Sequence, residues 1–216
     1  EKFVINGRKK LEGTIKVGGA KNAALKAFAA ALLTDQRVVI KNVPEVEDIK
    51  RMVELIKDLG ADVVYSGSGE YVVTAKKLNT HILNPEIAKR LRASIAVTAP
   101  LLVRLGKVSF PHPGGCVIGE RPIDVFIDGY EALGAKVDYA DNLYTMTLKK
   151  PRGCKFVFHN VSVTGTEALM MTASLSEGET VLKNCACEPE IVSLAGFLNS
   201  CGAKIEGAGT SCIKIR

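Results

Sequence analysis

A chain of 216 residues with 47% hydrophobic and 24% charged side chains has the balance of an ordinary globular protein, long enough for one substantial core or two small ones. No uncharged apolar run approaches the roughly 18 residues that a membrane span needs, so a membrane partner is not expected. The formal charge of +6 asks for an anionic partner; with five Tyr, seven Phe, no Trp and no dense Lys/Arg tract among aromatics, a phosphorylated small molecule is expected rather than nucleic acid.

The N-terminal Glu1-Lys2-Phe3-Val4-Ile5 has neither an initiator methionine nor a signal-peptide apolar run, which suggests a trimmed piece of a longer protein. The six cysteines, Cys116, Cys154, Cys185, Cys187, Cys201 and Cys212, show no metal-finger spacing. A chain of this length does not need a disulfide framework. The expectation is a reducing, cytoplasmic compartment, mostly buried structural thiols, and no metal or cofactor.

In chain order, Gly7 and Gly13 break two short strands within residues 1–20, and a strand Thr14–Val17 leads into Gly18-Gly19-Ala20-Lys21-Asn22. A first unit then reads helix Ala23–Leu33, strand Val38–Val43, helix Val46–Leu59, and strands Asp62–Tyr65 and Tyr71–Ala75. Asp48, Ile49, Met52, Leu55, Ile56 and Leu59 keep helical spacing, and Gly60 is placed to stop that helix. The second unit reads helix Ile87–Leu105, strand Val108–Pro111, helix Pro122–Leu133, and strands Lys136–Tyr139 and Tyr144–Leu148. The third reads helix Thr166–Ser176, strand Thr180–Asn184, helix Pro189–Ser200, and strands Lys204–Glu206 and Cys212–Ile215. Leu59-Gly60-Ala61, Leu133-Gly134-Ala135 and Cys201-Gly202-Ala203 recur about 70 residues apart in matched contexts, the mark of an internal repeat. The predicted class is α/β, three related sheets packed round helices. Residues 1–20 have no counterpart in the later units.

Three segments carry candidate chemistry. Gly18 and Gly19 allow close backbone approach, and a following helix N-terminus favours an anion, with Lys21 and Asn22 on its first turn. A plain turn with a solvated lysine is the competing reading. Between strand and helix of the second unit, residues 111–122 insert a loop with three glycines and three prolines that carries Cys116. Arg121 stands beside the start of the next helix, so guanidinium and helix end together offer an anion site, and Asp124 is a cap or a hydroxyl ligand. Asn160–Thr166 is a third donor-rich turn. Arg90 and Arg92 stand on different faces of the second unit's first helix, one of them simply solvated. In Glu188-Pro189-Glu190 the carboxylates complement a helix dipole.

At these residues the sequence resembles the enolpyruvyl transferases, and among them those acting on UDP-N-acetylglucosamine. The matching elements are Gly19–Leu25, Arg92-Ala93-Ser94-Ile95, Pro113–Gly119, Arg121-Pro122-Ile123-Asp124, Ser162–Thr166 and Glu188–Val192, in order along the chain. The resemblance implies two domains, each of three βαβαββ units in an inside-out barrel, with substrate between them. Residues 21–216 would be one such domain, the other domain being absent, and residues 1–20 would be strands belonging to that other domain. It implies transfer of the enolpyruvyl group from phosphoenolpyruvate to the 3′-hydroxyl of UDP-N-acetylglucosamine, with Cys116 as proton donor and fosfomycin target. Lys21, Asn22 and Arg121 would hold phosphoenolpyruvate. Asn22, Arg92, Arg121, Pro122, Ile123, Asp124, Val125, Asn160, Val161, Ser162 and Val163 would contact the nucleotide sugar. A thiol of reference pKa about 8.5, lowered by an adjacent arginine and helix end, suits an acid working near neutral pH. Phe126 stands where the family commonly has histidine, Asn160 where it has lysine, and Thr164-Gly165 shifts a glycine by one place. The family's aspartate base and further phosphate-binding arginines belong to the half not present here. A catalytically inert, nucleotide-sugar-binding or partner-pairing domain is the alternative, and the thiol loop disfavours a shikimate-type sister enzyme.

Overall fold

A computed structural model describes residues 2–114 and 123–216. From residue 2 to residue 20 the backbone forms no helix or strand, and Phe3, Val4, Ile5, Leu11, Ile15 and Val17 are almost fully exposed. The strand expected at Thr14–Val17 is therefore not formed. No strand among the described residues lies beside it, so its backbone groups have no ladder to join.

Three sheets follow. The first contains β1 (Arg37–Ile40), β2 (Asp62–Gly67) and β3 (Glu70–Thr74) in the order β1-β3-β2. The second contains β4 (Lys107–Pro111), β5 (Lys136–Ala140) and β6 (Leu143–Thr147) in the order β4-β6-β5. The third contains β7 (Lys155–Val157), β8 (Thr180–Lys183), β9 (Ile205–Glu206) and β10 (Cys212–Ile215) in the order β7-β8-β10-β9. In each, the last strand of the unit lies between the first and the hairpin strand, all antiparallel, with Val38↔Val73, Val108↔Met146 and Leu182↔Ile213 as matched partners. Only β7 is parallel to its neighbour, β8. The sequence reading missed β7 because three residues, with only Phe156 buried, give too little alternation.

The helices divide by burial. α1 (Lys21–Ala31), α4 (Thr98–Leu105) and α6 (Val163–Ala173) are interior, and every residue of α6 from Gly165 to Ala173 is buried. α2 (Glu47–Asp58), α5 (Asp124–Ala132) and α7 (Pro189–Ser200) lie outside, each burying one side. On α2 that side is Ile49, Met52, Leu55 and Ile56, as its spacing requires. The repeat marker has a common geometry: Gly60, Gly134 and Gly202 take φ of 103°, 97° and 104° after α2, α5 and α7. The amides of Ala61, Ala135 and Ala203 then donate back to Ile56, Tyr130 and Leu198 at 3.0, 3.0 and 3.1 Å, closing three equivalent Schellman caps.

The single helix expected over Ile87–Leu105 is three pieces: α3 (Pro85–Ala88), a 3-10 helix Arg92–Val97, and α4. Leu91 is extended and buried at the first break. Pro100 has no N–H to give the Ala96 carbonyl, so it fits only the first turn of a new α-helix, and α4 starts at Thr98. The thiols also differ from expectation: Cys185 is buried and Cys154 and Cys212 are half-buried, but Cys187 and Cys201 are exposed. The last two lie in the turns flanking α7, outside its apolar side. Burial pushes the Cys185 thiol up to about 12, which keeps it protonated and inert.

Arg104 joins the units from the C-terminal end of α4. Its Nη1 donates to the carbonyls of Leu32, Thr34 and Ala75 at 3.0, 3.3 and 2.7 Å, and Nη2 to that of Lys76 at 3.3 Å. Replacing it by alanine strands those carbonyls, so Arg104→Ala is expected to destabilise the fold by about 2 kcal/mol in urea unfolding, with an unchanged m-value.

Candidate functional site

The interior helices have no room for unpaired charge along their length, so their exposed polar residues emerge at the ends. The N-terminal turn of α1, the N-termini of α6 and α7, the start of α2 and the turn at residues 89–93 border one cleft of about 840 Å³. Lys21, Asn22, Lys26, Asp48, Lys89, Arg90, Arg92 and Glu190 line it. A second recess of about 400 Å³ shares Arg92, Val163 and Thr164 and is walled by Ile123, Val125, Phe126, Asn160, Val161 and Ser162.

α1 begins at Lys21 with no side-chain cap from Ala20, leaving its first amide donors facing the cleft. Gly19 allows this entry, because a Cβ there would collide with the Asn42 carbonyl. Lys21 Nζ donates to Asp48 Oδ2 at 2.6 Å, and Asn22 Nδ2 donates to Glu190 Oε1 at 3.1 Å. Below them Lys26 and Glu167 form a buried pair, Nζ to Oε2 2.8 Å, with side-chain exposures of 8% and 0%. Neither Glu167 oxygen has a well-directed hydrogen bond among the described residues. Burial pushes the Glu167 carboxyl up, and the Lys26 ammonium opposes that shift.

The opposite wall is equally specified. Ser162 caps α6, its hydroxyl accepting from the Gly165 amide at 3.0 Å, while the Thr166 hydroxyl donates to the Ser162 carbonyl at 2.8 Å. Arg92 Nη1 donates to the Pro113 carbonyl at 3.0 Å, and Gly114 sits so close to Lys89 that a Cβ would overlap its carbonyl. The stem of the 111–122 loop is thus held against the cleft rim. Phe126 is buried, edge-on to Tyr130 (4.7 Å between ring centroids) and to Phe110 (6.3 Å). His159 lies 2.9 Å from Asp128, tying the turn before α6 to α5.

Of the predicted site residues, Lys21, Asn22 and Arg92 share the larger cleft, and Arg92, Ile123, Val125, Asn160, Val161, Ser162 and Val163 share the recess beside it. Asp124 is exposed in the first turn of α5, outside that lining. Cys116, Arg121 and Pro122 lie outside the described residues. Sequence reasoning did not single out Asp48, Lys26 or Lys89 for the site. It read Glu190 as a dipole partner and one of Arg90 and Arg92 as solvated. Arg90 is the exposed one of the two, donating to the Glu86 carbonyl at 2.8 Å and reaching Glu54 at 3.3 Å, while Arg92 is half-buried. The sequence offered acidic residues in the first turns of α2 and α7 but nothing that placed them beside α1.

An α/β chain with this repeated sheet order and a cationic cleft at converging helix N-termini defines the class. Residues 5–216 match the family described as EPSP synthase (3-phosphoshikimate 1-carboxyvinyltransferase), and the chain belongs to that family. It is 46% identical over its whole length to UDP-N-acetylglucosamine 1-carboxyvinyltransferase 2 of Carboxydothermus hydrogenoformans and 42% identical to UDP-N-acetylglucosamine 1-carboxyvinyltransferase of Coxiella burnetii, covering 51% and 50% of those proteins. The chain therefore spans about half the length of the curated relatives it matches. In structure it resembles the enolpyruvyl transferase NikO from Streptomyces tendae (TM-score 0.82, 20% identity, 97% of this chain and 49% of that one). It also resembles EPSP synthase from Acinetobacter baumannii (TM-score 0.73, 14% identity, 94% and 46%).

The close approach at the loop stem is open to a direct check. Gly114→Ala is expected to cost about 1–3 kcal/mol through overlap with the Lys89 backbone, seen as a lower calorimetric melting temperature, while Gly196→Ala, where a Cβ meets nothing within 4 Å, should not lower it.

Proposed function

We propose that this chain is the thiol-bearing half of an enzyme that transfers the enolpyruvyl group of phosphoenolpyruvate to the 3′-hydroxyl of UDP-N-acetylglucosamine, the first committed step of peptidoglycan synthesis. The observation that carries the reading is the cleft itself, where Lys21, Asn22 and Arg92 meet the Ser162-capped N-terminus of α6 beside the stem of the Cys116 loop. The names of the 46% and 42% identical relatives support the choice of nucleotide sugar over shikimate phosphate.

The three repeated units form one inside-out barrel domain at residues 21–216. The exposed apolar side chains of residues 1–20 find their strand partners in a second domain, which also supplies the catalytic base and further phosphate ligands. The enzyme works in the cytoplasm, without metal or cofactor.

Phosphoenolpyruvate lies in the larger cleft, its phosphate and carboxylate taking Lys21, Asn22 and Arg121. The Lys21 ammonium exchanges Asp48 for the phosphate, and the uncapped amides of α1 add favourable dipole charge. The nucleotide sugar occupies the recess, against Arg92, residues 121–125 and residues 160–163, with Asn22 reaching it from α1. Cys116 delivers its proton to C3 as the sugar hydroxyl adds to C2 and gives its own proton to the base of the second domain, leaving a Cys116 thiolate and a tetrahedral phosphate-bearing adduct. Return of a C3 proton to the Cys116 thiolate, and departure of phosphate with the proton held by the base, restore the double bond. A thiol in this role needs a pKa near working pH; one lowered too far would be a thiolate with no proton to give. Where a basic residue is common in the family, Phe126 packs as core, so the diphosphate draws on Arg92 and on neutral donors of the 160–163 turn.

The whole polypeptide is expected to release phosphate from phosphoenolpyruvate and UDP-N-acetylglucosamine in a coupled assay, and this chain alone is not. Robust turnover by residues 1–216 would contradict the half-enzyme reading. Fosfomycin is expected to add one covalent adduct, on Cys116, by intact mass and peptide mapping; an adduct on another thiol, or none, would relocate the site. The shortened chain also motivates a second reading, a domain that binds nucleotide sugar without turning it over. Binding by the whole polypeptide without phosphate release would favour it.

A further inference from the structure

The transfer chemistry just described leaves one buried charged pair unused, Lys26 with Glu167. The Glu167 side chain is fully buried and that of Lys26 nearly so, at the edge of the cleft, and they are the buried charged side chains of the interior between α1 and α6. A buried ion pair is a poor device for stability, since well-packed apolar residues of similar volume do as well; what it can do is fix the register of two elements. The position of this pair matters because of what shares its helix. Asn22 and Lys26 are four residues apart, on one stripe of α1, and that stripe addresses Glu190 of α7 and Glu167 of α6. Lys21 turns the other way, to Asp48 of α2. The first two turns of α1 are therefore tied to carboxylates on three different helices. The tie at Glu167 is the one that solvent cannot loosen, because both partners are buried. It joins α1 to the helix whose N-terminus, at Val163 and Thr164, forms the facing side of the cleft.

We propose that Lys26 and Glu167 are positioning residues: their ion pair sets the rotation and height of α1 against α6, and so holds Lys21 and Asn22 at the correct distance from the Ser162–Thr164 turn across the cleft. The role rests on the enolpyruvyl-transfer reading of that cleft. It extends the reading to a pair that acts through the helices it joins. Shifting α1 by the length of one methylene moves Lys21 with it, and misplacements of that size are enough to slow a reaction without unfolding the protein.

The test uses the whole polypeptide and varies the reach of the pair. Glu167→Asp shortens one arm, and Lys26→Arg added to it lengthens the other. Glu167→Asp is expected to lower kcat/KM for phosphoenolpyruvate about tenfold, and the added Lys26→Arg to bring it back to within about threefold of wild type. Lys26→Met with Glu167→Met removes both charges at similar volume, so it is expected to keep a wild-type melting temperature while kcat/KM stays depressed about tenfold. An active wild type whose Met/Met variant keeps full kcat/KM, or whose Glu167→Asp loss is not reversed by Lys26→Arg, would overturn the positioning role. A Met/Met variant that fails to fold would assign the pair to stability and would overturn it as well. A wild type that releases no phosphate contradicts the transfer reading itself, and this inference falls with it.

Discussion

The structure depends on one constraint: an interior helix can carry an unpaired charge only at its ends. α6 is buried from Gly165 to Ala173, and α1 from Ala24 to Ala31 apart from the half-buried Ala27. With apolar residues required along their length, the groups able to meet a charged ligand are confined to their first turns, where unpaired amides and the helix dipole already favour anions. Because α1, α6, α7 and the turn at residues 89–93 bring such groups to the same side of the core, a cleft arises there. Lys26 and Glu167 are the exception that fits the rule, since each is the other's counterion.

The repeat supplies the frame. Three Schellman caps at Gly60, Gly134 and Gly202 end three outer helices the same way and lead the chain into β2, β5 and β9. The second unit departs from this frame in two places, both next to the cleft. Pro100 and Leu91 break its first helix so that Arg92 can turn to the Pro113 carbonyl, and the chain between β4 and α5 carries an added loop. Local departures from a repeated plan therefore border the cleft.

Much of this was legible in the sequence. The Gly-Ala markers gave the three units, the spacing of Ile49, Met52, Leu55 and Ile56 gave α2, and Pro189 fixed the start of α7. Lys21, Asn22, Arg92 and the 160–163 turn were readable as polar residues at helix starts, and the structure brings them to one cleft and its neighbouring recess. The interactions between units were not legible. Lys26 looks like one more cation in an alanine-rich helix until Glu167 is found facing it across more than a hundred residues. Asp48 read only as part of the helical spacing of α2, and Glu190 as a dipole partner for α7, because nothing local shows that α1 packs between them. The strand at Thr14–Val17 failed for a related reason: alternation alone cannot form a strand without a neighbour to pair with.

The most direct test of the account is where UDP-N-acetylglucosamine touches the chain. Titration of the nucleotide sugar into isotope-labelled protein, followed by amide chemical shifts, is expected to perturb Asn22, Arg92 and residues 160–163 together and to leave β2 and β3 unmoved. Shifts confined to another face, such as the pole around Cys201, or no shifts at all at millimolar ligand, would contradict the placement of the site at the helix N-termini.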